Sequence, residues 1–210
     1  MNKGLLVVLS GFSGSGKGTL MKRLLEKYDN YALSVSATTR SPRPGEREGV
    51  EYFYKSEEEF ARMMANDEFL EYACYVSHSY GTPKAYVEQK LNEGKDVILE
   101  IEIQGALKVK AKRPDTLLVF VTPPSAEELE KRLVGRGTET PEVIQSRMRR
   151  AVEEAGSMEL YDYIVINDTV EECVDELHKL IRSQHNQVSH QKEFISRIQK
   201  ELTEREEINK

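Results

Sequence analysis

Positive charge is in deficit along this chain: 36 Asp and Glu outnumber 30 Lys and Arg, for a net charge of −6. A nucleic-acid backbone demands a basic surface, so the balance argues against general nucleic-acid affinity, while a local basic cluster can still hold a small anion. Cysteine is scarce, and Cys74 and Cys173 have neither metal-ligand spacing nor a neighbouring partner in sequence. They read as unpaired thiols of a reducing compartment, which points to a cytoplasmic protein. Long apolar runs are lacking too: the N-terminal run, residues 5–9, is too short for a membrane span or a secretory leader. His185 and His190 fall outside any zinc-binding spacing and read as solvated. No Ser-His-Asp or paired-carboxylate arrangement for acid/base chemistry is apparent, and no internal repeat.

What the sequence does have is a phosphate cradle. The apolar run ends in Gly11-Phe12-Ser13-Gly14-Ser15-Gly16-Lys17-Gly18-Thr19, and a helical pattern follows at residues 20–27. In a strand–turn–helix of this kind the glycines let consecutive backbone N–H groups converge, and the helix N-terminus adds a favourable dipole. Lys17 brings a full positive charge to phosphate oxygens. The spacing Gly11-x4-Gly16-Lys17 fits a P-loop with one departure. The general motif sets Ser or Thr after the lysine to bind Mg2+; here Gly18 intervenes and Thr19 supplies the hydroxyl. These nine residues are the candidate contacts of a nucleoside triphosphate, and Mg2+ is the cofactor expected with it.

Further along, residues 31–35 alternate like a short strand. Residues 36–47, rich in hydroxyls, Arg and Pro, read as a loop. Tyr52-Phe53-Tyr54 reads as a strand, Ser56-Glu57-Glu58-Glu59 as a capping box opening a helix to about Asn66, and residues 69–76 as another strand. Thr82-Pro83 is expected to start a helix that Gly94 ends. Residues 97–99 and 117–121 are continuous apolar runs, as in parallel strands buried on both faces. Helical segments at 104–110 and 125–133 separate and follow them, the second opened by a capping box at Ser125-Ala126-Glu127-Glu128. A polar turn leads to a long helix ending near Ser157, then a strand at 163–166 and a helix at 170–181. Alternating strands and helices predict an α/β fold, a parallel sheet with helices on both faces. From Ser183 on, composition turns to Gln, Lys, Glu, Asn and His. Val188, Ile195, Ile198 and Leu202 keep helical spacing, so this extension is either a helix docked on the domain or on a second subunit, or a solvated tail. A homo-oligomer is thus left open.

A second anion site is written into the middle of the chain. Arg40 and Arg43 sit in a segment stiffened by Pro42 and Pro44, with hydroxyls just before them. Two planar guanidinium forks held this way make a phosphate clamp. Glu71, on an apolar strand, needs hydrogen-bond donors in such a setting. Guanine offers two adjacent ones, N1–H and the exocyclic amine, whereas adenine would oppose the carboxylate with a lone pair. Glu100 and Glu102 close the strand at 97–99, where ligands of parallel sheets bind, within reach of Mg2+ waters or of the acceptor.

Taken in order, GxSGxGKGTL at residues 11–20, SVSATTRSPRPGE at 34–46, LEIEIQG at 99–105 and RGTET at 136–140 make the chain similar to the guanylate kinases. The resemblance covers the chain as far as about Ile181. It implies a P-loop NTPase-type parallel core flanked by helices, an inserted mixed α+β GMP-binding subdomain and a helical lid. The expected limits are a domain over 1–182, with core at about 1–35, 95–134 and 158–182, insertion at 36–94 and lid at 135–157, followed by the charged extension 183–210. By the family pattern Ser36, Arg40, Arg43, Tyr52, Glu71, Tyr80 and Thr82 match the GMP-binding positions, with Glu100 and Glu102 beside them. Glu100 is one methylene longer than the Asp of some members. Arg132, Arg136 and Arg147 match arginines near the triphosphate, and Asn167 and Asp168 match the segment near the adenine.

The resemblance implies phosphoryl transfer from ATP to GMP, with dGMP as a further acceptor. Lys17, Arg40, Arg136 and Arg147 are the expected catalytic residues, the last two arriving on lid closure. An acceptor phosphate is already ionised near neutrality, so positioning and charge neutralisation suffice without a general base. Two other readings stay open on the residues: a kinase for another nucleoside monophosphate, and an inactive module that binds an acidic or phosphorylated peptide.

Overall fold

The computed structural model describes residues 3–75, 77–135, 137 and 140–208. Its first half runs β1 (Leu6–Gly11), α1 (Lys17–Lys27), β2 (Tyr31–Leu33), β3 (Ala37–Thr38), β4 (Phe53–Tyr54), α2 (Glu57–Ala65), β5 (Phe69–Tyr75), β6 (His78–Pro83) and α3 (Lys84–Asn92). The second half runs β7 (Asp96–Glu100), α4 (Ile103–Lys112), β8 (Leu117–Thr122), α5 (Ala126–Gly135), α6 (Pro141–Ala155), β9 (Tyr163–Ile166), α7 (Val170–Gln184) and α8 (Lys192–Ile208).

Five of these strands form one sheet in the order β2-β7-β1-β8-β9, and every neighbouring pair in it is parallel. Strand β1 is central, and its residues 6–10 are buried, as a strand covered on both faces requires. Leu20, Met21 and Leu24 of α1 and Val174, Leu177 and Ile181 of α7 pack on one face. Val87 and Leu91 of α3 and Ala106 and Val109 of α4 cover the other. The order places Gly11 and Glu100, the ends of β1 and β7, at the same carboxyl edge of the sheet. The parallel α/β core with flanking helices is the expected fold.

A second sheet, β4-β3-β6-β5, lies within residues 36–94 and mixes parallel and antiparallel pairs. It has its own small core of Ala37, Phe60 and Phe69, joined by Phe53 and Met63. Two local expectations are corrected here. Residues 36–47 are not all loop: Ala37 and Thr38 form β3, both fully buried, pairing with Gly81 and Tyr80 of β6. Two residues carry no periodicity, so the strand is set by its partners. Likewise Thr82-Pro83 does not begin a helix. The segment closes β6, and α3 starts one residue later with Pro83 as its N-cap.

The capping box at Ser56 forms in full, Glu59 N–H to Ser56 Oγ and Ser56 N–H to the Glu59 carboxylate. At Ser125 the serine accepts from Glu128 N–H at 3.1 Å, but the Glu128 carboxylate turns to Arg132 instead. Val76, expected at the end of a strand, lies outside the described residues. In the extension, α8 leaves Ile195 and Ile198 half-buried and Phe194 and Leu202 exposed. His185 is not solvated as expected: its Nε2 meets the buried Asp96 carboxylate at 2.9 Å.

Candidate active site

The glycine turn between β1 and α1 takes a conformation that its residue types dictate. Gly11, Gly14 and Gly16 all have positive φ, and Gly16 is the left-handed N-cap of α1. A Cβ on Gly11 would lie 2.0 Å from Val121 O, and one on Gly16 would lie 2.5 Å from Asn167 Nδ2. The loop is therefore pressed against β8 and the end of β9 with no room for side chains. Asn167 braces it from beneath, donating from Nδ2 to Ser15 O at 2.8 Å. At 2 % exposure Asn167 supports the loop; the resemblance had set it near the adenine. Phe12 and Ser15 are buried as well, Phe12 edge-on to Phe120 at 5.0 Å, so these residues offer a ligand only their backbone.

Lys17 donates from Nζ to Gly11 O at 2.7 Å and to Phe12 O at 3.0 Å. Arg147 of α6 is already at the loop, with Nη1 donating to Ser13 Oγ at 3.1 Å. Arg132 is held by Glu128 at 2.7 Å and donates from Nη2 to Asp168 O at 3.4 Å. Arg136 lies outside the described residues.

The arginine segment folds around a carboxylate. Glu46 accepts from Arg40 Nη2 at 2.9 Å, from Arg43 N–H at 2.7 Å and from Tyr54 Oη at 2.9 Å. The Arg40 guanidinium lies over the Tyr52 ring, 5.3 Å from its centre, and Tyr52 in turn meets Tyr80 edge-on. Hydrogen bonding to Arg40 and to Arg43 N–H holds the Glu46 carboxyl down at about 2, and the same Glu46 contact raises Arg40. Arg43 projects its side chain to solvent.

Glu71 on β5 is only 9 % exposed and accepts from Thr82 Oγ1 at 2.7 Å. Burial pushes its carboxyl above the ordinary range, with the Thr82 bond pulling the other way. Space for that carboxylate comes from α4: a Cβ on Gly105 would sit 3.1 Å from Glu71 Oε2.

One residue joins the two halves. Glu100 lines the 440 Å3 cavity of Ser13, Lys17 and Thr19, the 470 Å3 cavity holding Arg147 and Arg150, and the 180 Å3 cavity of Ser36, Tyr52 and Thr82. Glu102, by contrast, turns to Arg150 Nη2 at 2.7 Å beside the phosphate loop. Four participants escaped the sequence reading. Arg150 follows Arg147 by three residues on one face of α6, a signal that was available. Glu46, Tyr54 and Gly105 were visible as residues, but their partners are distant or unordered by any period.

A P-loop on a parallel sheet, faced across Glu100 by a pocket of Ser36, Tyr52 and Thr82, is the build of a phosphoryl-transfer enzyme of the P-loop class. A guanylate kinase family model matches residues 3–184. A guanylate kinase of Lactococcus lactis is 53 % identical over 186 residues, 89 % of this chain and 91 % of that one. One from Caldanaerobacter subterraneus is 50 % identical over 199 residues, covering 95 % and 97 %. The crystal structure of guanylate kinase from Anaplasma phagocytophilum superposes with a TM-score of 0.68 at 33 % identity, covering 89 % of each chain. The chain belongs to the guanylate kinase family, whose members transfer a phosphoryl group from ATP to GMP. Among the described residues no helix is long and apolar enough to cross a membrane.

Proposed function

We propose that this enzyme moves the γ-phosphoryl group of ATP onto the phosphate of GMP or dGMP, releasing ADP and GDP or dGDP, in guanine nucleotide synthesis and recycling. The observation that carries this reading is the buried Glu71 carboxylate, held by Thr82, which lines a cavity that shares Glu100 with the cavity of the phosphate loop. A carboxylate can take both donors of the guanine edge, and a site built on such pairing discriminates by about 10^4 or more.

The residues divide by substrate. Backbone N–H groups of the loop and Lys17 hold the β- and γ-phosphates, and Lys17 exchanges its carbonyl partners for phosphate oxygens. Arg40 and Arg43 take the acceptor phosphate and offset repulsion between two anions. Ser36, Tyr52, Tyr80 and Thr82 complete the acceptor pocket. Arg132 and Arg147 neutralise the triphosphate from α5 and α6, with Arg136 assigned beside them by resemblance. The acceptor oxygen is already ionised, so no proton need be removed, and rate comes from alignment and charge neutralisation.

Mg2+ bound to the ATP phosphates would supply charge neutralisation between them. The donors fit a hard cation: Thr19 and Glu100 bring oxygens to the cavity beside Lys17, and Gly18 leaves open space there. With Glu102 paired to Arg150, Glu100 is the better placed carboxylate for the metal's waters. The free thiols Cys74 and Cys173 support a cytoplasmic setting.

A coupled assay of ADP formation with GMP, AMP, CMP and UMP tests the proposal. GMP should exceed the others by several orders of magnitude. Comparable turnover of another monophosphate, or GMP binding without ADP release, would overturn it.

A further inference from the structure

We infer that Glu46 is a positioning residue of the acceptor site, the node that shapes the phosphate clamp before GMP arrives. The inference rests on the reading of Arg40 and Arg43 as that clamp and adds a residue to it. The two oxygens of Glu46 do different work. Oε1 takes Arg40 Nη2 at 2.9 Å, while Oε2 takes both the Arg43 N–H at 2.7 Å and the Tyr54 hydroxyl at 2.9 Å. One oxygen orients a side chain; the other fixes the turn that carries Arg43 and ties it to β4.

The arrangement decides where the guanidinium forks can point. Arg40 is caught on three sides: Glu46 at one edge, Ser41 O at 2.8 Å from Nη1, and the Tyr52 ring beneath its face. Its side chain is 13 % exposed and that of Glu46 19 %, so the pair is shielded more than a surface ion pair. Arginine has five N–H donors in a rigid plane, so bonds at one edge leave the others aimed in a fixed direction. Arg43 is treated differently, its backbone anchored and its guanidinium exposed. A clamp with one fixed and one exposed fork leaves Arg43 open to an incoming phosphate. The ordering entropy of Arg40 is met in advance, which is how preorganisation raises affinity. Against this, a carboxylate near a phosphate repels it. At 2.9 Å from Arg40, however, its charge is largely matched by that guanidinium, and the Arg43 guanidinium stays exposed for the phosphate.

Glu46→Gln separates the two jobs. The amide oxygen can stay on Arg43 N–H and Tyr54, so the turn persists, while the amide nitrogen faces Arg40 and the ion pair is lost. The expected result is a rise of roughly tenfold in the Michaelis constant for GMP, the order of one charge-assisted hydrogen bond. The constant for ATP and the melting temperature should hold. Glu46→Asp, which keeps the charge, should recover part of the loss, a rescue that loosened packing alone would not show. Tyr54→Phe removes one arm without altering charge and should raise the GMP constant less than Glu46→Gln does. An unchanged or lowered GMP constant in Glu46→Gln, or equal rises for GMP and ATP, would overturn the inference. If Glu46→Gln fails to fold, Tyr54→Phe and Glu46→Asp decide it: wild-type GMP constants in both would overturn it. Arg43→Ala run alongside separates the two readings. A selective loss of GMP affinity there with a silent Glu46→Gln removes Glu46 and leaves the clamp standing. A silent Arg43→Ala removes the clamp and the inference with it.

Discussion

The Thr82 hydroxyl donates to Glu71 Oε1 across 2.7 Å, at a buried position that leaves Glu71 9 % exposed. One oxygen of the carboxylate is thereby partly satisfied, yet burial still raises the carboxyl above its ordinary value. A free enzyme that buries this group without its ligand carries an unfavourable charge, and the two guanine donors would relieve it. Glu71→Gln should therefore separate stability from selectivity. Hydrogen bonds to charged groups are worth about 1.5–3 kcal/mol, so the preference for GMP over AMP should fall by about 10- to 100-fold in competitive assays. An unchanged ratio removes Glu71 from base recognition.

The same residue gives a pH dependence of fixed sign. A carboxyl raised in the folded state contributes stability below its unfolded value, about 4.3, and loses it as pH rises through the folded value. Wherever it is ionised, Glu71 thus destabilises the ligand-free fold. Melting curves of ligand-free Glu71→Gln should lie above wild type near pH 7 and converge with it as pH falls toward 4. Curves that diverge on acidification would contradict a raised carboxyl.

Gly105 leaves the room in which that carboxylate sits. A Cβ there would stand 3.1 Å from Glu71 Oε2 and 3.3 Å from Ile101 Cδ1, so one of them must shift by a few tenths of an ångström. Alanine is the better helix former by about 1 kcal/mol, so α4 itself should not suffer. Gly105→Ala is expected to keep its melting temperature while raising the Michaelis constant for GMP roughly tenfold, since misplacement approaching 1 Å can cost on the order of 10^2. A rise for ATP alone would place the crowding elsewhere.

The parallel core was legible because its buried central strands β1, β7 and β8 are built on continuous apolar runs, and the exposed edge strand β9 is apolar as well. Strand β9, for example, coincides with the expected 163–166. Strand β3 was not legible: Ala37 and Thr38 are held by Gly81 and Tyr80, some forty residues away in the chain, and two residues have no period to read. The site divides in the same way. Lys17, Arg40 and Glu71 stand out by residue type in an improbable setting. Glu46 reads in the sequence as one more polar residue of a loop, whereas in the fold two donors of its own loop and one from β4 meet on it. His185 was misread because its partner, Asp96, is a buried carboxylate at the far end of β7.

Arg150 ties α6 to the end of β7 through Glu102 at 2.7 Å, with the two side chains 48 % and 68 % exposed. Exposed pairs of this kind are worth about 0.2–1 kcal/mol. Arg150→Ala should raise the Michaelis constant for ATP by about 2- to 5-fold in dilute buffer, and Glu102→Ala should match it without adding to it in the double variant. Both effects should shrink in about 1 M salt, where charges are screened beyond about 3 Å. Additive losses that persist in salt would mean that the two residues act separately on the nucleotide.

Asp96 closes the opposite end of the sheet. Its carboxylate accepts from Leu5 N–H at 2.9 Å and from Asn30 Nδ2 at 3.2 Å, and it meets His185 Nε2 at 2.9 Å. The residue is 2 % exposed, and these partners come from the start of β1, the turn before β2 and the end of α7. Asp96→Ala strands the Leu5 N–H beside an apolar core, where an unmet donor costs about 1–3 kcal/mol. Urea unfolding should show that loss as a lower midpoint at constant slope. The Michaelis constants for both nucleotides should stay unchanged, because β7 carries Asp96 at one end and Glu100 at the other. His185→Ala should cost less, about 0.5–1.5 kcal/mol, and the double variant should be no worse than Asp96→Ala by itself. If His185→Ala proves fully additive with Asp96→Ala, the histidine holds α7 through some other contact, and the carboxylate is not the point where these segments meet.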